Sequence, residues 1–293
     1  MPCRRAILRA VGEPFIGSEA LARGVVSRHQ LRTQYRAVFP NVYLSKQVRP
    51  SLEQRIVAAW LWSHRDATIA GTAAAALHGA KWIDQDISIE LIYPNARPPR
   101  GVQTRRDMLL NGEVVTLSQF AVTTPERTAF DIGRRELRRT AVARLDALAR
   151  ATGFKVDDVL VLAQRHRGAR GLRRLETALD LVDAGAQSPR ESYLRLLLVD
   201  SGLPRPQTQI PVLGSDGFPI AYLDMGWPDL MVAAEYDGDH HRVDRFQYVR
   251  DIGRLELLER MGWLILRVVA EDHPADIVRR VRCALEARRS SVR

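Results

Sequence analysis

Two acidic side chains in the last hundred residues have the spacing of a divalent-cation site. Asp224 ends one apolar run, and Glu235 ends the next. A tight turn between the two runs would bring the carboxylates together on neighbouring strands, where they repel each other unless a cation lies between them. Mg²⁺ prefers carboxylate, carbonyl and water oxygens, and Glu191 offers a third carboxylate. Such a site could polarise a phosphodiester and generate a hydroxide nucleophile. For any one acid alone, a solvated carboxylate at a strand end is the better explanation.

The residues directly after Glu235 add groups for proton transfer. The run continues with Tyr236 and Asp237 and reaches the adjacent histidines His240 and His241. A histidine with a pKa near neutrality suits general acid–base chemistry. The alternative is that both histidines belong to an exposed loop.

The elements that must position these residues are predicted in the order helix, three strands, helix, strand, helix. Ser188 is a helix cap, Pro189 takes the first helical position, and Asp216-Gly217 signals a hairpin turn. The predicted strands are Gln207–Val212, Ile220–Trp227, Leu230–Tyr236 and Trp263–Val269, and one helix spans about Arg250–Met261.

This set of positions resembles the family of proteins related to very-short-patch repair endonucleases, within the PD-(D/E)xK superfamily. The resemblance rests on Asp224, Glu235-Tyr236-Asp237-Gly238-Asp239-His240-His241, Asp251-Ile252-Gly253-Arg254 and Gly262–Arg267. It implies a restriction-endonuclease-like α/β core over 188–293. It also implies a Mg²⁺ or Mn²⁺ ion on Asp224 and Glu235, with the Tyr236 carbonyl as a further ligand. Glu191 corresponds to the acid of the first helix. The implied catalytic set is Glu191, Asp224, Glu235, Asp237, His241 and Arg254.

One position departs from the superfamily pattern. Where a lysine usually stands two residues after the glutamate, this chain has Asp237, and it has no lysine after Lys155. Asp237 can accept a proton or bind metal but supplies no positive charge. His240, His241 or Arg254 would have to provide that charge. The related families carry the same substitution, so the departure does not itself indicate an inactive site.

Composition predicts an ordinary soluble protein of two or three domains. The chain has 293 residues, of which 46% are hydrophobic and 27% charged, and such a length is large for a single core. No apolar run approaches a bilayer span, and the first residues lack the apolar core of a signal peptide. Two cysteines at opposite ends exclude a disulfide framework or zinc cluster, which favours a reducing cytoplasm.

The positive charge is concentrated before residue 188. The net charge is +10, yet residues 1–187 hold 29 basic and 18 acidic side chains, so the remainder is slightly acidic. Clustered cations favour a polyanion, because they release counterions from phosphates. A solvated, arginine-rich surface explains the charge equally well.

Residues 13–47 predict a small helical unit followed by a hairpin. Glu19–Arg23 ends at Gly24, Ser27 caps a second short helix, and Tyr35–Leu44 reads as a strand pair. Helix, turn, helix, hairpin is the order of a winged helix-turn-helix. Its predicted DNA-contacting residues are Arg28, His29, Gln30, Arg32 and Arg36. A generic helical pair is the alternative.

The middle of the chain alternates between helix and strand. Residues 51–80 are predicted to be helical throughout, with Ser51 as cap. Strands are predicted at 87–93 and 114–117, and Thr124 caps a helix that opens the helical stretch reaching about Ala184. A small-residue linker, 183–189, marks the best domain boundary. We therefore predict domains at 1–50, 51–185 and 188–293, in a mixed α/β, α+β multidomain protein.

Three short motifs before residue 185 resemble the antitoxin family of AbiE-type abortive-infection systems. They are Gly24–Leu31, Asn41–Leu44 and the helix Gly71–Gly79. The resemblance implies a winged helix leading to a rigid mixed domain, in a protein that represses its own operon and has a cognate toxin as partner.

Two functions of different classes follow. The first is a Mg²⁺-dependent endodeoxyribonuclease guided to DNA by the winged helix. The alternative is an antitoxin-like transcriptional repressor whose nuclease fold is catalytically inactive. Both functions predict DNA as a partner, and neither predicts association with a membrane. A second subunit is a further expectation, and a homodimer would suit double-strand cutting.

Overall fold

The computed structural model describes residues 12–95, 97–237 and 245–291, with only the backbone of 245–251. These residues form mixed helix and sheet in two compact units, which confirms the mixed α/β class. The first unit comprises the chain up to Glu136 and Ala151–Thr177. The second comprises Leu137–Arg150 and the chain from Ala178 onward. None of the described helices is long and apolar enough to cross a membrane.

The helices of the described chain are α1 (Gly17–Ala22), α2 (Arg28–Gln34), α3 (Leu52–Trp62), α4 (Gly71–Leu77), α5 (Pro125–Arg135), α6 (Arg138–Thr152), α7 (Val156–Arg165), α8 (Leu172–Leu179), α9 (Pro189–Asp200), α10 (Arg245–Arg260) and α11 (Pro274–Ser291). The strands are β1 (Phe15–Ile16), β2 (Tyr35–Phe39), β3 (Val42–Ser45), β4 (Thr68–Ala70), β5 (Ile89–Ile92), β6 (Val102–Arg105), β7 (Val114–Leu117), β8 (Phe120–Thr123), β9 (Gln207–Leu213), β10 (Pro219–Trp227), β11 (Val232–Tyr236) and β12 (Leu264–Val268).

The first unit begins with a winged-helix module, Phe15–Ser45, in the predicted order helix, turn, helix, hairpin. Its antiparallel sheet has the order β1-β3-β2. Asn41, in the hairpin turn with φ at 62°, ties the sheet to α1. Its carbonyl accepts from the Gly17 N–H at 2.8 Å, and its side-chain oxygen accepts from the Ser18 N–H at 3.0 Å. These bonds satisfy two amides that a helix start leaves unpaired.

The rest of the first unit is a five-stranded mixed sheet with the order β6-β5-β4-β8-β7, packed against helices. The prediction that residues 51–80 are helical throughout is wrong, because Thr68–Ala70 forms β4 at the centre of this sheet. Ile69 is fully buried there between β5 and β8, and burial in the sheet outweighs the helical pattern of its neighbours. Gly71, with φ at 57°, then turns the chain into α4.

The second unit contains a four-stranded sheet with the order β12-β11-β10-β9. Its elements follow the predicted order of helix, three strands, helix, strand and helix. β9, β10 and β11 pair antiparallel, and β12 returns parallel to β11 after the crossover helix α10. A buried core of β10, β11, α9 and α11 lies on one side, centred on Leu198, Met225, Ala234 and Val281.

A buried ion pair joins α6 to α9 within this unit. Arg195 donates to Asp146 at 2.7 Å and to the Leu181 carbonyl at 2.6 Å, and both charged side chains are at most 1% exposed. Asp146 also accepts from the Ser192 hydroxyl at 2.6 Å and the Asp183 N–H at 2.7 Å. Each charge is therefore compensated, as a buried charge must be.

Candidate functional site

A capping box stabilises the start of α2, the second helix of the winged-helix module. The Ser27 hydroxyl accepts from the Gln30 N–H at 3.1 Å, and the Gln30 side-chain oxygen accepts from the Ser27 N–H at 2.8 Å. Leu31 is the buried residue of the helix and packs with Ala20 and Val26. The local sequence thus fixes which face of α2 is turned toward solvent.

All five predicted DNA-contacting residues are exposed: Arg28, His29, Gln30, Arg32 and Arg36. Two of them have structural contacts as well. The Gln30 oxygen belongs to the capping box, and the Arg36 guanidinium on β2 donates to the Val48 carbonyl. Within the described residues, no carboxylate lies within ion-pair distance of Arg28 or Arg32. Both cations are therefore presented to solvent on one short helix.

Lys46 supports the far end of the same helix. Its ammonium donates to the carbonyls of Arg32 at 2.7 Å and Thr33 at 3.0 Å. A cation at this end also complements the helix dipole. Lys46 therefore anchors the last turn of α2 to the chain after β3.

In the second unit, Asp224 and Glu235 lie on neighbouring strands and line the same cleft. They are the residues next to Met225 and Ala234, which pair across β10 and β11. Asp224 accepts the Tyr236 N–H at 3.0 Å. It does not end its strand, because β10 continues to Trp227. The hydrogen bond from the Tyr236 N–H, rather than a strand end, positions its carboxylate.

Two of the predicted site carboxylates are paired with arginines. Arg254 of α10 holds both oxygens of Glu235, one of them at 3.0 Å, and donates to the Tyr222 carbonyl at 2.8 Å. Asp237 forms an ion pair with Arg267 of β12. Arg254, predicted as a substitute for the usual lysine, is therefore positioned as the partner of a candidate metal ligand.

Glu191 closes the start of α9. Its carboxylate accepts from the Gln187 N–H at 2.8 Å and from the Ser188 hydroxyl at 2.9 Å, and only 8% of the residue is exposed. Burial raises the pKa of this carboxyl, although both hydrogen bonds oppose the shift. Glu191 thus has a capping function that accounts for its position without a metal.

Among the predicted site acids, Asp224 has the most strongly shifted pKa. Burial and the nearby charge of Glu191 raise the pKa of Asp224 to about 7, with a smaller contribution from Glu235. The Tyr236 N–H and Arg254 act in the opposite direction. Carboxylates that repel one another in a partly buried cluster are a common feature of functional sites.

Asp224, Glu235 and Asp237 line a cleft of about 250 Å³ together with Arg254 and Arg267. The oxygen donors of the first two acids fit a hard divalent ion, but only after Arg254 releases Glu235. Among the described residues, no group of three or more histidine, cysteine or acidic side chains is arranged to hold a metal. The predicted His240 and His241 lie outside the described residues, as does the side chain of Asp251.

A buried arginine network in the first unit was missed from the sequence. Arg127, 1% exposed, donates to Asp131 at 3.1 Å and to the Met108 carbonyl at 2.9 Å, and it also bonds Glu113. Glu113 in turn bonds His166 at 2.7 Å. The spacing of Arg127 and Asp131, four residues apart on a helix, was the available signal.

Comparison with known proteins shows which part of the chain is similar to a known family. Residues 67–181, from β4 to α8, match the family "AbiEi antitoxin C-terminal domain". The chain is 29% identical over 252 residues to Uncharacterized protein MT2308 and to Uncharacterized protein Rv2248, from two Mycobacterium tuberculosis strains. Each alignment covers 84% of this chain and 92% of the relative. No solved structure matches the chain at a significant level.

The antitoxin resemblance of the middle region is thereby supported. The family match ends before the acid-lined cleft, so it lends no support to the endonuclease resemblance of the second unit. Neither candidate site lies within the matched residues, because the winged-helix module precedes them and the acid-lined cleft follows them.

Replacing Asp224 by asparagine should stabilise the protein in a pH-dependent manner. The folded-state pKa of about 7 lies above the ordinary value of 3.8, so ionising Asp224 costs folding free energy. That cost is absent at acidic pH, grows as the pH rises between these values and is complete above about pH 7. The free energy of unfolding of Asp224→Asn should therefore exceed that of the wild type more at about pH 8 than at about pH 5.

Urea denaturation of both proteins in metal-free buffer measures this difference. Asparagine can still accept the Tyr236 N–H, so the comparison isolates the charge. An equal difference in unfolding free energy at the two pH values would contradict the assigned environment of Asp224.

Proposed function

We propose that this protein is a DNA-binding regulator of the antitoxin type, and that α2 of the winged-helix module contacts the DNA. The single observation that carries this proposal is the exposed pair Arg28 and Arg32 on a short helix that a capping box and Leu31 hold in place. The match of residues 67–181 to the antitoxin family supports the same function. A protein of this kind would act with a cognate toxin as partner.

The chemistry of α2 suits the recognition of a duplex. Arginine forms paired hydrogen bonds with guanine or phosphate oxygens, and glutamine can pair with adenine. Arg28 and His29 lie in the first turn, where a recognition helix contacts base edges. Gln30 keeps only its amide nitrogen for such a contact, because its oxygen belongs to the cap. The helix therefore offers two arginines and one histidine as its main contacts.

The wing adds contacts of a different kind. Arg36 donates to the Val48 carbonyl just after the module, and Lys46 donates to backbone carbonyls of α2. Their charges still contribute to the attraction of phosphates, which dominates the affinity for duplex DNA. We expect their replacement to weaken the module itself as well as DNA binding, so they are poor choices for a first test.

The acids of the second unit favour a non-catalytic domain in this proposal. Arg254 neutralises Glu235, Arg267 neutralises Asp237, and Glu191 caps α9. An endonuclease-like fold with its acids engaged in this way can serve as a scaffold.

Arg28→Ala combined with Arg32→Ala should weaken DNA binding. Loss of two phosphate or base contacts should reduce affinity by about tenfold or more and lower the slope of log affinity against log salt by about two. Fluorescence anisotropy with a labelled duplex of the upstream operon region, at several salt concentrations, measures both quantities.

Arg173→Ala combined with Arg174→Ala is the matched control. These two arginines are also exposed and helical, and their removal changes the net charge equally. An equal loss of affinity in both double variants would mean that general charge, rather than α2, binds the DNA.

The second candidate function is a metal-dependent nuclease, as the resemblance to very-short-patch repair endonucleases implies. It is favoured by the juxtaposition of Asp224 and Glu235 and by the raised pKa of Asp224. Asp224, Glu235 and the Tyr236 carbonyl would hold Mg²⁺ or Mn²⁺, and the ion would polarise the phosphodiester. The ion pair between Arg254 and Glu235 would have to break before the metal ion could bind.

Supercoiled plasmid incubated with the protein and Mg²⁺ or Mn²⁺ separates the two functions. The regulator proposal predicts no cutting by the wild type. Cutting by the wild type that is abolished in both Asp224→Asn and Glu235→Gln would establish the nuclease instead. Cutting that is unchanged in both variants would point to a contaminating enzyme and would leave the regulator proposal standing.

A further inference from the structure

We propose that a second basic site, an arginine pocket in the first unit, binds a phosphate group. The pocket measures about 440 Å³ and lies within the region that matches the antitoxin family. Six arginines line it: Arg106, Arg127, Arg134, Arg165, Arg167 and Arg170. It is separate from α2 in sequence and uses none of its residues.

The rim of the arginine pocket consists of four exposed arginines from two segments. Arg106 directly follows β6, while Arg165, Arg167 and Arg170 lie at the end of α7 and in the loop before α8. Arg165 donates to the Asn111 carbonyl at 3.1 Å and has a carboxylate no nearer than 3.9 Å. Among the described side chains, no carboxylate lies within ion-pair distance of the other three.

The negative charges at the floor of the pocket are neutralised by buried arginines, so they do not cancel the positive charge of the rim. Glu113 and Asp131 are fully buried and paired with Arg127, and Asp107 and Asp131 are paired with Arg134. Burial works against ionisation of Glu113, but hydrogen bonds from His166, the Leu110 N–H and Arg127 lower its pKa overall. All three carboxylates are thus paired with arginines beneath the rim, and Arg135 adds a further cation to Asp107 and Asp131.

Several contacts fix the loop that carries the rim. His166 bonds Glu113 at 2.7 Å, and its ring lies 5.3 Å from that of Phe130. Arg127 and Arg134 stack over the same Phe130 ring, at 5.4 and 5.0 Å. Gly171, with φ at 90°, approaches the Arg134 carbonyl so closely that a Cβ there would lie 2.2 Å from its oxygen. Arg167 and Arg170 therefore extend from an anchored loop.

An anchored cluster of like charges indicates an anionic ligand. Arginines that share one pocket repel each other, and binding an anion relieves that repulsion. The planar fork of a guanidinium matches the oxygens of phosphate, and several forks can bind one phosphate or pyrophosphate together. Anchoring the loop in advance reduces the entropy lost on binding. The phosphate could belong to a DNA backbone or to a free phosphorylated small molecule.

Titration of the full chain with inorganic pyrophosphate tests the proposal by calorimetry. The pocket variant is Arg167→Gln combined with Arg170→Gln, and the matched control is Arg173→Gln combined with Arg174→Gln. Both remove two exposed arginines from neighbouring positions. We expect wild type and control to bind pyrophosphate alike, and the pocket variant to bind at least about tenfold more weakly, since charge-assisted hydrogen bonds are lost. Thermal melting of each variant verifies that it folds.

A duplex DNA of random sequence distinguishes the two sources of phosphate. If DNA competes with pyrophosphate and the pocket variant lowers the salt slope of DNA binding by about two, the pocket contacts the DNA backbone. If DNA binding is unchanged while pyrophosphate binding is lost, the ligand is a free phosphorylated molecule. The pyrophosphate titration does not depend on α2, so failure of the winged-helix proposal would leave it intact.

Two results would overturn the inference. One is the absence of pyrophosphate binding by the wild type together with equal DNA salt slopes for both double variants. The other is an equal loss of pyrophosphate affinity in pocket variant and control, which would assign the effect to net charge alone.

Discussion

A charged side chain that is buried in a fold needs an opposite charge or hydrogen-bond partners next to it. This requirement governs the structure of an arginine-rich chain. Of 44 basic side chains, 41 are arginines. Arg127 is buried with Glu113 and Asp131 in the first unit, and Arg195 is buried with Asp146 in the second. Removing one partner from such a pair leaves an isolated buried charge, which costs several kcal/mol, about 3–5 in measured cases.

The same requirement changes how the acids of the second unit are interpreted. In the sequence alone, the acids Asp224, Glu235 and Asp237 suggest a metal site, because the sequence does not show which cation lies beside them. In the fold, Arg254 and Arg267 take that place for two of them. Among the described side chains, no arginine is within ion-pair distance of Asp224, which accepts a backbone N–H. Exposed arginines on α2 and around the arginine pocket, by contrast, are available to bind a polyanion.

The parts of this structure that follow from the sequence are those set by local chemistry. Ser27, Ser51, Thr124 and Ser188 each cap the helix expected of them, because a cap needs only residues three positions away. Strand order in the second unit follows from short turns and one crossover helix. β4 was missed, because a three-residue buried strand has no period that distinguishes it from helix. The pairing of Glu235 with Arg254 joins residues on a strand and a helix, and the arginine pocket joins three separate segments, so neither follows from spacing.

The most direct test of the DNA-binding claim is hydrogen–deuterium exchange of the full chain, with and without the operon duplex and with Mg²⁺ present throughout. The account predicts slower amide exchange in α2 and the β2–β3 hairpin on DNA binding, with exchange at 222–237 unchanged. Slower exchange at 222–237 with none in α2 would contradict it and would place the DNA at the acid-lined cleft.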